Sequence, residues 1–432
     1  MSTIFAPITS PARAGISVIR ISGPQVVNCL EILGFKGNPE HSKITFQKIR
    51  DPKTSEIIDE VLVSFFQSPK SFTGEDVAEI SIHASPFIAK KIFEILSDQK
   101  NCRFAEAGEF SKRAFLNGKL DLVQAEAIPD LIAAETAAQH KQALRQLEGK
   151  LGAIYEDWRF RLIEISAMIE AAIDFPDEDL PKNIIDKVES DVEKLKNEIA
   201  SHLNDNKVGQ KIKDGLNLAI IGAPNVGKSS LINFLAQSEV AIVSEIAGTT
   251  RDVVETHLSI AGVAVKISDT AGIHETEDKI EAEGIRRALK KASEADLKIF
   301  LIDAKNPVLR ADLIDENTII VVNKIDLESF NFDGAVEISL TNNVNTTQLL
   351  KKLAEKILEL IPNQNSPLIT QERYRSALRN SVANLESFSL KKNIELAAED
   401  LRMTAREIGK ITGKVDIENI LDVIFSRFCI GK

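Results

Sequence analysis

Cysteine is scarce: the 432 residues hold three, Cys29, Cys102 and Cys429, far apart and in no CxxC pair. That argues against a disulfide framework and against a structural zinc site, and it fits a reducing cytoplasm. The six histidines show no HExxH spacing, which argues against a zinc hydrolase. No apolar run approaches the roughly 18 residues of a membrane span, and the first residues lack the charged and apolar regions of a secretion signal. Neither membrane insertion nor export is therefore expected. Positive charge is also short: 53 Lys and Arg against 64 Asp and Glu leave a formal charge of −11. Nucleic acid would have to be met by a local basic surface, because the chain as a whole repels phosphate backbones. Internal repeats and low-complexity tracts are absent as well.

Hydrophobic residues make up 44% and charged residues 27%, enough for packed cores. At about 150 residues per domain the length predicts two to four domains. Residues 1–118 mix strand and helix text, with Ile16–Ile21, Glu60–Phe66 and Val77–His83 reading as strands bounded by Gly, Pro and Ser. An α+β domain is expected there. Beyond Leu120, apolar residues recur at Leu144, Leu147, Leu151, Ile154, Trp158, Leu162, Ile165, Ile169 and Ala172, which predicts one long helix. Phe175-Pro176-Asp177 stops it. A second stripe follows through Ile185, Val188, Val192, Leu195, Ile199 and Leu203, and the chain then turns polar at Asn204–Gly209.

From Leu216–Ile221 onward, short apolar strands such as Lys298–Ile302 and Thr318–Val322 alternate with helical segments, the pattern of a doubly wound α/β domain. After Pro362 the text is helical again to Phe428. Helical stretches on both sides of the α/β unit suggest an insertion: residues 119–207 and 366–432 form one helical domain, and residues 208–365 interrupt it, since each helical half alone offers a small core.

Gly222-Ala223-Pro224-Asn225-Val226-Gly227-Lys228-Ser229 fits GxxxxGK[ST] between a strand and the helix-like Leu231–Leu235, the context a phosphate loop requires. Glycines let backbone N–H groups curl around phosphates, Lys228 reaches the β and γ oxygens, and Ser229 can ligate Mg²⁺; Ser230 follows on the same turn. Asp269-Thr270-Ala271-Gly272 follows the strand Val263–Ser268, so Asp269 can hold the Mg²⁺ shell and the Gly272 N–H can meet the γ-phosphate. Asn323-Lys324-Ile325-Asp326 follows Thr318–Val322. A carboxylate at Asp326 accepts two N–H donors from guanine, a pair adenine lacks, so the substrate is expected to be GTP. Ala247-Gly248-Thr249-Thr250 lies between the first two motifs, and Thr250 can complete the Mg²⁺ shell. Ile273 stands where many GTPases place the glutamine that orients water. Glu281 is a candidate for that task, although spacing alone favours a solvated helix residue.

With these residues placed, the chain resembles the MnmE (TrmE) family of tRNA-modification GTPases from Ala6 to Lys432. The motifs that carry the resemblance are Arg20-Ile21-Ser22-Gly23, Ser71-Phe72-Thr73-Gly74-Glu75-Asp76, Gly108-Glu109-Phe110-Ser111, the stretch Arg113–Leu122, Glu170–Asp177 and the terminal Phe428-Cys429-Ile430-Gly431-Lys432. The resemblance implies an N-terminal tetrahydrofolate-binding and dimerisation domain, a helical domain and an inserted P-loop G domain. It also implies a task. With the flavoprotein MnmG, in a heterotetramer, the homodimer adds a carboxymethylaminomethyl group to carbon 5 of the wobble uridine of certain tRNAs. The carbon comes from a 5-formyl- or 5,10-methylene-tetrahydrofolate.

By position in these motifs the resemblance puts folate contacts on Arg20, Glu79, Lys119 and Lys432. It implies K⁺ activation, with oxygens from Asn225, Ser244, Ile246 and Thr249, the loop Ser244-Glu245-Ile246-Ala247-Gly248-Thr249-Thr250 lining the nucleotide. It gives Glu281 the water-orienting role and makes Cys429 a candidate catalytic thiol, a buried small hydrophobe being the other reading. Three departures stand out: His83-Ala84-Ser85-Pro86 where the family has HGGP, Ile338-Ser339-Leu340-Thr341 where it has SA[KR], and Ala223 with Val226 in the phosphate loop. The alternative is a GTPase switch in ribosome or RNA assembly, which explains residues 208–365 equally well but leaves the first 118 without a purpose. A folate-dependent transferase with a regulatory G domain is a third reading. For RNA, the candidate contacts are Arg286-Arg287, Lys290-Lys291, Lys391-Lys392, Arg402, Arg406 and Lys410, against the plainer reading of solvated helix faces.

Overall fold

The computed structural model describes residues 2–10, 14–174, 182–238, 255–268, 292–362, 367–391, 393–415, 418–426 and 428–431. They form two compact units: Met1–Pro129 with Leu147–Val192 and Ala383–Lys432, and Asp130–Gln146 with Glu193–Val382. In chain order the helices are α1 (Val26–Ile32), α2 (Pro86–Ser97), α3 (Glu109–Leu116), α4 (Leu122–Ile132), α5 (Ala137–Leu147), α6 (Lys150–Asp174), α7 (Lys182–Leu203), α8 (Val208–Asp214), α9 (Lys228–Gln237), α10 (Thr346–Leu360), α11 (Glu372–Ser387), α12 (Ile394–Thr412) and α13 (Glu418–Phe425).

The first unit carries a six-stranded sheet from β1 (Thr3–Pro7), β2 (Ile16–Ser22), β3 (Ile44–Arg50), β4 (Ile57–Phe66), β5 (Val77–His83) and β6 (Cys102–Phe104), in the order β3-β4-β5-β2-β1-β6. All neighbours are antiparallel except β1 with β6. Alternation does the sorting: Val61, Val63 and Phe65 of β4 enter the core with Ile19, Ile21, Ile80 and Ile82, while Leu62 points outward. The pairing sets Arg20 of β2 opposite Glu79 of β5, two long charged side chains on one face at the middle of the sheet.

The long helix predicted from Leu144 is two helices. Gly149 takes φ +81°, a left-handed conformation that favours glycine, and α6 starts only at Lys150. Leu144 belongs to α5 and is 42% exposed; the buried stripe of α6 is Leu151, Tyr155, Trp158, Leu162, Ile165 and Ile169. Helix α6 packs along α12. The C-terminal segment returns to the sheet: Phe425 and Phe428 join Leu122 and Ala125 in one cluster, and Ile430 forms an antiparallel bridge with Ala107.

The second unit holds β7 (Leu216–Gly222), β8 (Glu255–Ile260), β9 (Val263–Ser268), β10 (Leu297–Asp303), β11 (Thr318–Asn323) and β12 (Val336–Glu337), in the order β12-β11-β10-β7-β9-β8. Neighbours are parallel except β8 with β9. Every residue of β10 is buried, as a strand covered on both faces requires. Strand order reverses at β7, so its carboxyl end opens at a topological switch point. Helix α8 begins in the stretch read as polar, Asn204–Gly209; Val208 and Ile212 anchor it to the core.

Candidate functional site

The phosphate loop leaves β7 and enters α9. Gly222 has φ +156°, and a Cβ there would stand 2.3 Å from the Leu301 carbonyl oxygen, so β7 and β10 approach too closely for a side chain. Gly227 has φ +103°, and its Cβ would meet Asn323 Nδ2 at 2.5 Å. Asn225, at the exposed tip, also takes positive φ (+64°), a conformation asparagine tolerates. Lys228 Nζ donates to the carbonyls of Gly222 (3.0 Å) and Ala223 (2.9 Å), which lays the ammonium along the loop. Ser229 and Ser230 are exposed on the first turn of α9.

The motif Asn323-Lys324-Ile325-Asp326 is bonded to this loop. Asn323, 3% exposed, donates through Nδ2 to the Val226 carbonyl (2.9 Å) and accepts from the Leu340 amide (3.3 Å). Lys324 donates to the Asn225 carbonyl and to Asp303 Oδ2, both at 2.7 Å. Asp303 was not visible as a site residue in the sequence; the signal was a carboxylate ending an apolar strand. Burial works to raise its pKa, and the Lys324 ammonium with the amides of Lys305 and Asn306 outweighs it, so the carboxyl stays below its ordinary range. Asp326 is exposed beyond this knot. The departure Ile338-Ser339-Leu340-Thr341 keeps a tight turn against Asn323, with Ser339 fully buried.

A second constellation lies in the first unit. Arg20 donates through Nε (3.0 Å) and Nη2 (2.7 Å) to Glu79 Oε1, and its guanidinium sits 5.0 Å from the Phe72 ring centre and 5.6 Å from that of Phe110. Glu79 Oε2 has no partner among the described residues. Arg113 of α3 holds both oxygens of Glu75 (2.9 and 3.2 Å) and one of Glu109 (3.0 Å), and Arg103 holds Glu109 at 2.7 and 2.8 Å. Ser22 bonds Glu75 and Thr73, both at 2.7 Å, while Asn117 and Lys119 donate to the carbonyls of Thr73 (2.7 Å) and Pro69 (3.0 Å). Residues 68–76 are thereby clamped between β2 and the α3–α4 connection, with the Phe72 ring beside Arg20. The Arg103–Glu109–Arg113–Glu75 web escaped sequence reasoning, because its partners stand up to 38 positions apart.

The structure brings Arg20 and Glu79 together and places Lys119 on the same clamped segment. Cys429 is exposed, which removes the reading of a buried hydrophobe, and its carbonyl accepts from the Gly108 amide at 3.4 Å. Ser244, Glu245, Ile246, Ala247, Gly248, Thr249, Thr250, Asp269, Thr270, Ala271, Gly272, Glu281 and Lys432 lie outside the described residues, as do Arg286, Arg287, Lys290, Lys291 and Lys392. Among the described residues no group of His, Cys, Asp and Glu is arranged to hold a metal, and no helix is long and apolar enough to cross a membrane.

Comparison with known proteins gives these sites their family. Residues 3–119 match the family described as GTP-binding protein TrmE N-terminus, and residues 122–429 match the MnmE helical domain. The chain belongs to the MnmE family of tRNA modification GTPases. The tRNA modification GTPase MnmE of Rickettsia rickettsii is 47% identical over 445 residues, covering 100% of both chains, and that of Rickettsia bellii is 46% identical with the same coverage. Among solved structures, Aquifex aeolicus Era bound to GDP and aluminium fluoride is 27% identical over 39% of this chain and 66% of its own, with a TM-score of 0.26. MnmE membership accounts for both the phosphate loop and the N-terminal clamp in one chain, as the switch reading did not.

Proposed function

We propose that this MnmE-family chain is a K⁺-activated GTPase that, as a homodimer and with the flavoprotein MnmG, installs carboxymethylaminomethyl at carbon 5 of the wobble uridine of certain tRNAs in the cytoplasm. The observation that carries the reading is Asn323, whose side chain ties the base-reading motif to the phosphate loop at 2.9 Å. One cradle then serves guanine and triphosphate together. Lys228 neutralises the β and γ oxygens, and the Asp326 carboxylate accepts the paired N–H donors of guanine. The donors fit the expected cations: Ser229 offers an exposed hydroxyl beside Lys228 for Mg²⁺, with Thr250, and Asn225 offers its amide oxygen for K⁺, with Ser244, Ile246 and Thr249. Bound there, the cations supply positive charge against the triphosphate. In this reading Glu281 would orient the attacking water, and Asp269 and Gly272 would meet the Mg²⁺ shell and the γ-phosphate.

The first unit fits a tetrahydrofolate derivative, which supplies the one-carbon unit when bound. Glu79 presents its unpartnered oxygen to a pterin N–H edge, the Phe72 ring offers a stacking face, and Arg20, Lys119 and Lys432 suit the glutamate tail. Ile44, Phe46 and Leu62, exposed on the outer face of β3 and β4, suit a homodimer contact. The domains of this reading are residues 1–118, 119–207 with 366–432, and 208–365, and Cys429 is its candidate thiol. GTP turnover in KCl and in NaCl tests it, together with mass spectrometry of wobble uridine in tRNA incubated with the chain, its flavoprotein partner, GTP and 5-formyltetrahydrofolate. Turnover favoured by K⁺ and a modified uridine are expected; equal turnover in both salts and unmodified tRNA would overturn it.

A further inference from the structure

Between α6 and α12, within the first unit, the surface opens into a groove of about 480 Å³ whose walls include Arg159, Ser166, Glu170, Arg402, Arg406 and Val415. Three guanidinium groups and the Glu170 carboxylate line it, and two further carboxylates, Glu399 and Glu156, stand beside the arginines. Glu170 is engaged by Arg402 Nε at 2.9 Å; Arg402 also donates to Glu399 at 2.9 Å, and Glu156 stands 3.8 Å from Arg159 Nη1.

Two donors in this groove lack what a folded protein normally provides. Ser166 is 8% exposed and its Oγ bonds to nothing among the described residues. A serine inside a helix usually turns its hydroxyl back to a carbonyl one turn earlier; this one does not. Arg159 Nε is likewise buried and without a partner. Gly409 of α12 makes room for it: a Cβ there would stand 3.3 Å from Arg159 Nε and 2.9 Å from Val415 Cγ2. Buried polar groups are nearly always satisfied, and those that are not mark places where something else completes them. Here the unsatisfied groups both donate, and guanidinium groups flank them. The complement is an acceptor-rich anion, and phosphate matches it.

We propose that this groove seats a backbone phosphate of tRNA, with Arg159, Arg402 and Arg406 offsetting its charge and with the buried Ser166 Oγ and Arg159 Nε edge turning outward to donate to its oxygens. The inference rests on the tRNA reading above. It is favoured over an acidic peptide because the chain, at −11, needs a local cationic seat to approach RNA at all.

The test uses the full-length chain and fluorescent tRNA, read by anisotropy from 50 to 200 mM salt. Relative to wild type, Arg159→Gln and Arg406→Gln should each bind about 5- to 8-fold more weakly at 0.1 M salt. Each should also lower the salt slope by about one, the contribution of one phosphate contact. Lys90→Gln, at an exposed side chain of α2, serves as the control and should match wild type, and GTP turnover should be unchanged in all three. Helicity and melting verify folding, and Arg406→Lys should restore most of the lost affinity where Arg406→Gln does not.

Equal tRNA affinity and slope in wild type and both groove variants would overturn the proposal. So would ³¹P line broadening by orthophosphate that vanishes in Arg159→Gln while tRNA binding persists, which would give the groove to free phosphate. Loss of flavoprotein co-elution with tRNA affinity intact would give it to an acidic protein segment, again overturning it. A wild-type chain that holds tRNA at no salt concentration would sink both this seat and the tRNA reading; tRNA held equally by all variants would sink the seat alone.

Discussion

The phosphate loop of the second unit is shaped by backbone, whereas the Arg20–Glu79 constellation of the first unit is shaped by side chains. Around the loop, two glycines stand where a Cβ would collide, and carbonyls accept from Lys228, Lys324 and Asn323. Around Arg20 and Glu79, position is set by ion pairs among Arg103, Glu109, Arg113 and Glu75 and by hydroxyl bonds from Ser22. The contrast follows from the ligands expected. A triphosphate is bound by many N–H groups that any sequence supplies, so only the residues permitting the turn are constrained. A pterin edge needs a few side-chain atoms at fixed places, and each must be held by another side chain.

The comparison breaks most visibly at Gly227. Gly227→Ala puts a Cβ 2.5 Å from Asn323 Nδ2 at a φ that favours glycine. GTP affinity should fall at least 100-fold by calorimetry, with 5-formyltetrahydrofolate affinity unchanged; loss of both would mean that the two sites are not independent. Next, Asp326→Asn replaces an acceptor by a donor against guanine. GTP affinity should drop about 30- to 150-fold, from a charged hydrogen bond of about 2–3 kcal/mol, and xanthosine triphosphate should gain.

A third change sharpens the side-chain half. The Arg113–Glu75 pair is only 11% and 12% exposed, so Arg113→Ala leaves two carboxylates in a low-dielectric setting and should cost about 3–5 kcal/mol by denaturant unfolding. Lys48→Ala breaks the half-exposed pair with Glu60 and should leave stability within error.

The smallest effect concerns pH. Burial works to raise the Glu109 pKa, and bonds from Arg103, the Glu106 amide and Arg113 outweigh it, so the folded carboxyl lies below its ordinary value of 4.5. Its contribution is therefore present above about pH 4.5 and is lost as pH falls through the lower folded value. Glu109→Gln should flatten the acid limb of the melting-temperature profile; an unchanged limb would remove Glu109 as a cause.

How much of this was legible in the sequence divides along the same line. The phosphate loop, Asn323 and the strands that precede them could be read directly, because backbone-built sites are contiguous: strand, turn and helix occur in one window. Strand β5, all of β2 but its last residue and the C-terminal part of β4 were legible from alternation and flanking turns. The break at Gly149 was not, because Leu144 and Leu147 stand at helical spacing from Leu151, and periodicity does not register one left-handed residue between two helices. Helix α8 was missed because only Val208 and Ile212 bury against the core, too few to form a stripe. The clamp on residues 68–76 was invisible without the fold, since Ser22, Thr73, Glu75 and Arg113 meet only once β2 and α3 are packed.

The most direct test titrates GTP and 5-formyltetrahydrofolate into three proteins: wild type, Asp326→Asn and Glu79→Gln. The account predicts a double dissociation, with Asp326→Asn losing GTP and keeping folate, and Glu79→Gln losing folate and keeping GTP. Folate bound with undiminished affinity by Glu79→Gln, or not bound by wild type at all, would contradict it.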